Sequence, residues 1–466
     1  MSPASSGAAA TSIRAAAAPA PPVPCDPASD PDPDPDATDG RLAPGGPGYR
    51  RMSFALFLAG IATFALLYST QALLPLISDT FDASASAASW TVSGATGALA
   101  LCVLPLSALS ERFGRRTVMT GSLTVAVTVG LLAPFAPSLG TLIALRALQG
   151  AALAGLPASA MAYLAEEVRP KALVGAIGLF VAGNSIGGMS GRVIGGWIAQ
   201  GFGWRVAVGT IGVIAVVCAV AFRVLLPASR HGGAGVSSTE HSAPRSLHPR
   251  ALARTVGGHL ANPLLRRLYG IGALFMTVFG AVYTVIGYRL TAAPFSLPQG
   301  LIGSIFLVYL VGTVSSAAAG RLVGRLGRRG ALYLAAGTTT SGLALSLVPR
   351  LPVIFLGLVL ITAGFFAGHA VASSAVSRTA THGRAQASAL YQSAYYIGSS
   401  FGAAVGATAF HAGGWAGTAG LGFVAVLGVV AVTVWGTYAA RAQARAQAQA
   451  QAGAQAREGG ALAAAR

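Results

Sequence analysis

The chain has 466 residues, of which 54% are hydrophobic and only 9% are charged. Soluble domains carry about 25% charged residues, so the composition excludes a soluble globular protein and indicates a polytopic helical membrane protein. The net charge of +18 comes in short basic clusters between apolar runs. This distribution indicates membrane topology signals and argues against a nucleic-acid partner.

Residues 1–50 are rich in Ala, Pro and Asp, and D-P-D-P-D-P-D at 30–36 is incompatible with a helix. We therefore predict a disordered tail there. Twelve apolar segments follow, each close to the ~20 residues that a spanning helix needs. The predicted spans are 53–76, 88–109, 117–137, 140–163, 172–198, 204–226, 268–290, 300–320, 330–349, 352–376, 386–411 and 416–439.

A basic, polar stretch divides these segments into two sets of six. The pattern predicts an all-α polytopic membrane protein with twelve transmembrane helices in two pseudo-symmetric six-helix bundles, at 51–227 and 267–440. The two bundles are joined by a cytoplasmic linker at 228–266. The low-complexity run at 441–466 is predicted to be a cytoplasmic C-terminal tail.

The positions of lysine and arginine predict the orientation. With the N-terminus in the cytoplasm, nearly all of the 31 basic residues fall on the cytoplasmic side. The exceptions, within spans or at their outer ends, are Arg146, Arg192, Arg205, Arg289 and Arg350. This bias predicts a multi-pass protein of the cell membrane with both termini in the cytoplasm.

The two halves of the chain repeat each other. The stretch Ser107–Arg116, S-A-L-S-E-R-F-G-R-R, recurs as G-R-L-V-G-R-L-G-R-R at Gly320–Arg329, and Trp204 has a counterpart in Trp415. Glycines at every fourth position also recur, as Gly183, Gly187 and Gly191 and as Gly398, Gly402 and Gly406. Parallel repeats of six spans place a ligand site between the halves near mid-membrane.

This pattern resembles the major facilitator superfamily over about residues 50–440. The family's loop motif G-x-x-x-D-R-x-G-R-R matches Ser107–Arg116, with Ser107 for the glycine and Glu111 for the aspartate, while the second copy has Gly324 in place of the acid. The resemblance implies a cytoplasmic latch, with the acid facing the N-terminus of a helix in the other half. The predicted gate residues are Glu111, Arg112, Gly114, Arg115, Arg116, Arg325, Arg328 and Arg329, and the latch is expected to centre on Glu111.

Two more motifs point to a branch of this family. Leu142–Gly150 reads L-x-x-x-R-x-x-Q-G with Arg146 in the arginine position. Gly183–Arg192 is similar to the drug-antiporter motif G-x-x-x-G-P-x-x-G-G, with Gly188 for the proline and Arg192 for the last glycine. Together with Y-S-T-Q-A-L-L-P at Tyr68–Pro75, the chain resembles bacterial twelve-span drug:proton antiporters. The resemblance implies a secondary transporter that exports a small drug-like or metabolite molecule.

None of the 13 acidic residues falls inside a predicted span. A buried carboxylate, whose pKa burial raises, is a common proton site in proton-coupled transporters. Without one, proton coupling would use an acid near a span end, His369, or the substrate itself. The sequence has no phosphate-binding loop, nucleophile constellation or metal cluster, so we predict neither an enzyme nor a cofactor or metal site.

Polar side chains within spans are the candidates for a substrate cavity. Arg146 either attracts an anionic substrate or organises a polar network, or else snorkels to the outer headgroups. The amides of Gln71, Asn184 and Gln392 are expected to face the cavity or a helix interface, because an unsatisfied amide is costly in lipid.

Further candidates are aromatic or titratable. Tyr391, Gln392 and Tyr395 can share one helical face, and this face suits either an amphipathic ligand or helix packing. Tyr283 is a weaker cavity candidate. His369 is either a proton-binding group or a structural hydrogen-bonding residue. The glycine repeats predict close helix approach, and with it a tight seam between the two halves.

The expected partners are the lipid bilayer, a small-molecule substrate and protons as the coupling ion, and the protein is expected to be a monomer. Within transport, the alternative is a sugar or organic-anion transporter of the same fold. Outside transport, the alternative is a membrane receptor or scaffold.

Overall fold

The computed structural model describes residues 42–43, 45–227 and 249–464, which are almost entirely helical. The α-helices are α1 (Pro47–Tyr68), α2 (Leu74–Phe81), α3 (Ala85–Phe113), α4 (Arg115–Leu132), α5 (Leu139–Leu153), α6 (Pro157–Glu167), α7 (Pro170–Leu225), α8 (Pro249–Ala261), α9 (Pro263–Thr291), α10 (Gln299–Ser304), α11 (Tyr309–Ser346), α12 (Leu351–Thr379) and α13 (Arg384–Ala464). Short 3₁₀ segments lie at Gln71–Leu73, Ala133–Phe135 and Ile305–Val308.

Nine helical stretches within the described ranges are long and apolar enough to cross a membrane. Three of them contain a non-helical break: α7 at Gly203, α11 at Gly327 and α13 at Gly413–Gly414. Each break divides one stretch into two spans, which gives twelve spans. The predicted fold class of an all-α polytopic membrane protein is therefore confirmed.

We number these spans in chain order. Spans 1 to 4 are Pro47–Phe81, Ala85–Phe113, Arg115–Phe135 and Leu139–Glu167. Spans 5 and 6 are the two parts of α7, span 7 is α9, and spans 8 and 9 are the parts of Gln299–Ser346 before and after Gly327. Span 10 is α12, and spans 11 and 12 are the two parts of α13.

The ends of the predicted segments shift in the structure. The N-terminal tail was expected to reach residue 50, but α1 begins at Pro47. Most of the tail, 1–41, lies outside the described residues, as does 228–248 of the linker. The rest of the linker is α8, which ends at Ala261, and α9 then begins at Pro263. The predicted tail at 441–466 continues α13 as a helix to Ala464.

Each half has its own hydrophobic core. One core is built mainly from spans 1 to 6 and the other mainly from spans 7 to 12. The loops between spans show the same repeat, because Gly114 and Gly327 both have positive φ values, +87° and +69°. Side chains other than hydrogen rarely tolerate this backbone conformation, so the glycine of the repeated motif is required in both copies.

The six regularly spaced glycines lie at two close helix crossings. Gly183, Gly187 and Gly191 of span 5 pack against the backbone of span 1, and Gly398, Gly402 and Gly406 of span 11 pack against span 7. Both crossings are inside a half. The expectation that these glycines form the seam between the halves is therefore wrong, since the spacing indicates a close neighbour without identifying it.

The span 5 crossing leads to a direct prediction. A Cβ at Gly187 would overlap the backbone of Ile61, whereas a Cβ at Gly195 on the same helix meets nothing within 4 Å. We expect Gly187→Ala to lower the unfolding temperature by several degrees because spans 1 and 5 must separate. Gly195→Ala should leave it unchanged or raise it, since alanine favours a helix by up to about 1 kcal/mol. Thermal unfolding of both variants in detergent tests this, and equal unfolding temperatures would contradict the assigned crossing.

Span 1 is interrupted near its middle, which the apolar pattern does not predict. Helix α1 ends at Tyr68, the 3₁₀ segment Gln71–Leu73 follows, and α2 begins at Leu74. Pro75 has no backbone N–H and cannot donate to the carbonyl four residues earlier. The break therefore frees backbone carbonyls and turns Gln71 inward at mid-span. A similar interruption separates α5 from α6 in span 4, just before Pro157.

We call the side with the loops at Gly114 and Gly327 the basic side, and the side with the turns at Gly203 and Gly414 the opposite side. The halves meet on the opposite side. There the Trp197 indole donates to Ser304 Oγ at 2.9 Å and the Gly300 N–H donates to Gln200 Oε1 at 2.9 Å.

Hydroxyl contacts join the halves on the same side. Ser78 Oγ lies 2.6 Å from Tyr288 OH, and Ser86 Oγ lies 3.0 Å from Thr408 Oγ1. On the basic side, Arg115 binds Glu166 in one half. The polar contacts that join the halves therefore concentrate on the opposite side.

Candidate functional site

A cavity of about 200 Å³ lies between the two halves near the middle of the spans. Its lining comes from spans 1 and 5 of the first half and from spans 7, 8, 10 and 11 of the second. Five sequence-predicted residues line it: Gln71, Asn184, His369, Gln392 and Tyr395. The volume is slightly below the ~300–1,000 Å³ of typical ligand pockets, so the cavity suits a small ligand.

Arg192 is the main lining residue that the sequence analysis did not select. Its side chain is 2% exposed on span 5. Nε and Nη2 both donate to Gln71 Oε1, at 2.8 and 2.5 Å, and Nη1 donates to the Gly188 carbonyl. Gln71 in turn donates from Nε2 to Thr284 Oγ1 of span 7 at 3.3 Å. The arginine is thus held by neutral groups, and its network reaches the other half.

Aromatic rings surround the same guanidinium. Its central carbon lies 4.3 Å from the ring centre of Tyr68, 4.8 Å from Phe306 and 5.1 Å from Tyr309. Each desolvated cation–π contact stabilises the charge by up to about 2 kcal/mol. The rings also fix the orientation of the planar group, so the positive charge has a defined position in the cavity.

Among the residues that the structure describes, no carboxylate lines the cavity. The lining residues are Phe64, Tyr68, Gln71, Val181, Asn184, Ser185, Gly188, Arg192, Met276, Phe279, Gly280, Tyr309, Phe365, Phe366, His369, Gln392, Tyr395, Tyr396 and Ser399. The only permanently charged group among them is a cation, Arg192. The described lining thus agrees with the sequence, which has no acidic residue inside a predicted span.

The wall formed by spans 7, 10 and 11 is aromatic. Phe279 stacks on Phe365 with ring centres 4.0 Å apart, and Tyr395 lies 4.7 Å from the His369 ring. This wall offers flat apolar area, and the hydroxyl of Tyr395 and the His369 ring add polar edges. The cavity therefore combines a cation with stacked aromatic rings.

Tyr391 does not line the cavity, although it was predicted to share a face with Gln392 and Tyr395. Its hydroxyl lies 2.9 Å from His369 Nδ1 and donates to the His369 carbonyl at 3.3 Å. The ring packs against Gly272 of span 7. Tyr391 therefore stands behind His369 and orients it.

Arg146 is also absent from the cavity lining. It is 1% exposed and donates to the carbonyls of Leu66 at 2.7 Å and Thr91 at 3.2 Å, and to the carbonyl of Leu67 and the side chain of Gln149. The carbonyls of Leu66 and Leu67 belong to the last turn of α1, and the Leu66 carbonyl also accepts from the N–H and the hydroxyl of Ser69. Of the alternatives for Arg146, the polar network is the one that the structure contains, and both the cavity-lining and snorkelling interpretations are wrong.

Tyr283 is the third predicted cavity residue that lies elsewhere. It is fully buried in the second half, where its hydroxyl pairs with Thr362 Oγ1 at 2.5 Å and donates to the Leu358 carbonyl at 3.4 Å. These contacts tie span 7 to span 10. A buried tyrosine needs such partners for its hydroxyl, and here they come from the core.

The charges of the repeated loop are organised by Arg115 in the first copy. Arg115 Nε donates to Glu166 Oε1 at 3.3 Å, Nη1 donates to Ser110 Oγ at 2.7 Å, and Nη2 lies 3.6 Å from Glu111. Glu111 thus pairs within its own half and does not face the other half in this structure. All of these contacts lie within the first half, so a latch between the halves that centres on Glu111 stays a prediction.

The remaining gate candidates are more exposed. Arg112 lies over the Phe113 ring at 5.4 Å, and Arg116 is half-buried. In the second copy, Arg325 is exposed, and Arg328 and Arg329 are half-buried. With Gly324 in place of the acid, this loop carries only positive charge.

A larger groove of about 590 Å³ lies on spans 2, 3 and 4, away from the central cavity. Its lining includes Leu109, Phe113, Val125 and Leu148, apolar side chains that are 41% to 54% exposed. Such a surface is ordinary for a span that faces lipid tails. The groove lacks charged lining residues, so the candidate site is the central cavity.

Comparison with known proteins supports the fold and the class. The family model described as Major Facilitator Superfamily matches residues 52–403. The chain is 40% identical over 377 residues to the uncharacterized MFS-type transporter YybF of Bacillus subtilis (strain 168), covering 81% of this chain and 91% of that protein. It is 38% identical over 390 residues to the inner membrane transport protein YnfM of Escherichia coli (strain K12), covering 84% and 91%.

Solved structures show the same architecture at low sequence identity. A bacterial homolog to the human lysosomal transporter Spinster, in an inward-facing and occupied conformation, matches with a TM-score of 0.65 at 16% identity, covering 84% of this chain and 96% of that chain. The nucleoside transporter NupG matches with a TM-score of 0.63 at 13% identity, covering 82% and 99%. These two matches show the fold, and the family model with the two relatives establishes that the chain belongs to the major facilitator superfamily of transporters.

Proposed function

We propose that the protein is a secondary active transporter that exports a small drug-like or metabolite molecule by alternating access around the central cavity. The observation that carries this proposal is the cavity itself, which is lined by both halves and closed on the opposite side by contacts between them. Parallel six-span repeats can rock against each other around such a site.

The proposed orientation comes from the basic residues. The excess of Lys and Arg in the loops of the basic side favours the cytoplasm for that side and for both termini, with the cell membrane as the location. In this orientation the side that is closed by contacts between the halves faces outward. A substrate entering from the cytoplasm would reach Arg192 and Gln71 next to the closed opposite side.

Proton coupling is assigned to His369 in this proposal. It is the lining residue whose type titrates near neutral pH, and its Nδ1 contacts the hydroxyl of Tyr391. The carboxylates whose side chains the structure describes, such as Glu111, lie at the ends of spans. A proton on His369 would therefore sit in the same cavity as the substrate, where the two can influence each other's binding.

Transport and coupling can be tested in proteoliposomes that contain the purified full-length protein and an internal pH indicator. We expect movement of at least one compound from a panel of dyes and small organic anions, accompanied by a pH change. His369→Gln should abolish the pH change while the compound still binds. Transport without a pH change in the wild type would contradict the coupling, and no transport of any panel compound would favour a receptor or scaffold.

A further inference from the structure

We propose that Arg192 is an anion-binding residue and that the transported class is a small organic anion, with a carboxylate or similar group on a single ring. The claim that the anion is transported rests on the proposed function, whereas the claim that Arg192 binds it rests on the geometry of the cavity.

Arg192 keeps donors for a ligand. A guanidinium has five N–H groups in a planar fork. Three are engaged, two with Gln71 Oε1 and one with the Gly188 carbonyl. The two that remain, one each on Nη1 and Nη2, belong to a side chain that lines the cavity. Two N–H groups of one guanidinium match the two oxygens of a carboxylate.

The charge of Arg192 is held in place without being neutralised. Its hydrogen-bond partners, Gln71 and Gly188, are neutral, as are the rings of Tyr68, Phe306 and Tyr309 that surround it. Within the described part of the chain, no Asp or Glu belongs to the cavity lining. A buried cation without a counterion is costly in a membrane protein. An anionic ligand would supply the missing charge to a group that is already oriented.

The aromatic wall of spans 7, 10 and 11 determines which ligand body fits the cavity. Phe279, Phe365, Phe366 and Tyr395 all line the cavity, and the stack of Phe279 on Phe365 presents flat apolar surface. An aromatic or alicyclic ring fits such a wall by stacking. The volume of about 200 Å³ is slightly larger than the roughly 150 Å³ of a cavity known to bind benzene. One ring and one carboxylate therefore fill the space.

Three probes of nearly equal shape separate charge from size: benzoate, benzamide and benzylammonium. Binding of each to the purified full-length protein in nanodiscs would be measured by isothermal titration calorimetry, with no transport step involved. We expect saturable binding of benzoate, weaker binding of benzamide and none of benzylammonium. Arg192→Gln should weaken benzoate binding about ten- to hundredfold, the usual effect of losing hydrogen bonds to a charged group, and leave benzamide unchanged.

Two further variants make the result interpretable. Arg321→Gln makes the same charge change at an exposed position outside the cavity, and it should bind benzoate as the wild type does. Arg192→Lys keeps the charge and loses the fork, so it should bind benzoate with an intermediate affinity. It replaces Arg192→Gln if the latter does not fold, as judged by gel filtration.

The outcomes separate this inference from the proposed function. Equal wild-type affinity for benzoate and benzamide, or unchanged benzoate binding in Arg192→Gln, overturns the anion site. Transport of a cationic dye without benzoate binding also overturns the anion site but retains the transporter. Arg192-dependent benzoate binding supports the anion site even if no panel compound crosses the membrane, a result that would overturn the transport proposal alone.

Discussion

Replacing Arg146 with alanine is expected to lower the stability of the protein by more than about 3 kcal/mol and to abolish transport. The substitution removes the guanidinium N–H groups that donate to the carbonyls of Leu66, Leu67 and Thr91 and to the Gln149 side chain. Each lost hydrogen bond from a charged donor costs about 1.5–3 kcal/mol. Since Leu66 and Leu67 end α1 just before Gln71, the loss also frees the segment that positions Gln71 beside Arg192.

Thermal unfolding of the purified protein, measured by the loss of monomer on gel filtration, tests this effect. Leu148→Ala serves as a control on the same helix, because Leu148 is 52% exposed on the lipid-facing surface. Arg146→Lys should recover part of the stability, since one ammonium can reach some of the carbonyls but lacks the fork. An Arg146→Ala protein with wild-type stability and transport would refute the structural role.

Replacing Gly303 with valine is expected to prevent closure on the opposite side and to reduce transport at least about tenfold, which corresponds to a shift of about 1.4 kcal/mol between the two states. A Cβ at Gly303 would lie 2.7 Å from the carbonyl oxygen of Arg192 and 2.9 Å from the Cα of Gly196. Spans 5 and 8 touch backbone to backbone there. A side chain at this point keeps the halves apart on the opposite side and favours the alternative state.

A disulfide reports this closure directly. Ser86 Oγ and Thr408 Oγ1 lie 3.0 Å apart across the two halves, so Ser86→Cys with Thr408→Cys should cross-link under mild oxidation in a background without native cysteines. Adding Gly303→Val should reduce the cross-linked fraction strongly. Gly195→Val, at a position with no atom near the added Cβ, should leave it unchanged. Equal cross-linking in both variants would contradict the assigned closure.

The sequence predicts the twelve spans well because lipid selects for long apolar segments, and this requirement is visible in composition alone. It also predicts five lining residues of the cavity, among them Gln71 and Gln392, because an amide inside a span must face a cavity or a helix interface. The sequence analysis does not place Arg192 in the cavity, because Arg192 stands where the family motif has a glycine and so marks a departure from that motif. A charged residue inside a span is the stronger signal of a functional site.

Other features depend on partners that spacing cannot identify. Arg146 binds carbonyls of the turn that precedes a break in span 1. The apolar pattern continues through that break, and Pro75 is the one residue that indicates it. The glycines at Gly187 and Gly402 predict a close neighbour, but only the packing shows that it belongs to the same half. The partner of Glu111 depends on which side of the protein is closed, so a single sequence cannot assign it.

The lack of carboxylates among the described residues around Arg192 also bears on energy supply. With a monovalent anion bound there, the cavity carries no net charge, and export of the anion moves one negative charge out of the cell in addition to the charge of any coupled proton. The membrane potential, negative inside, contributes about 2.3 kcal/mol per 100 mV to this movement. That is enough to sustain an anion gradient of about fiftyfold. The membrane potential could therefore drive export of an anion of this class, and no carboxylate inside a span would be needed for it.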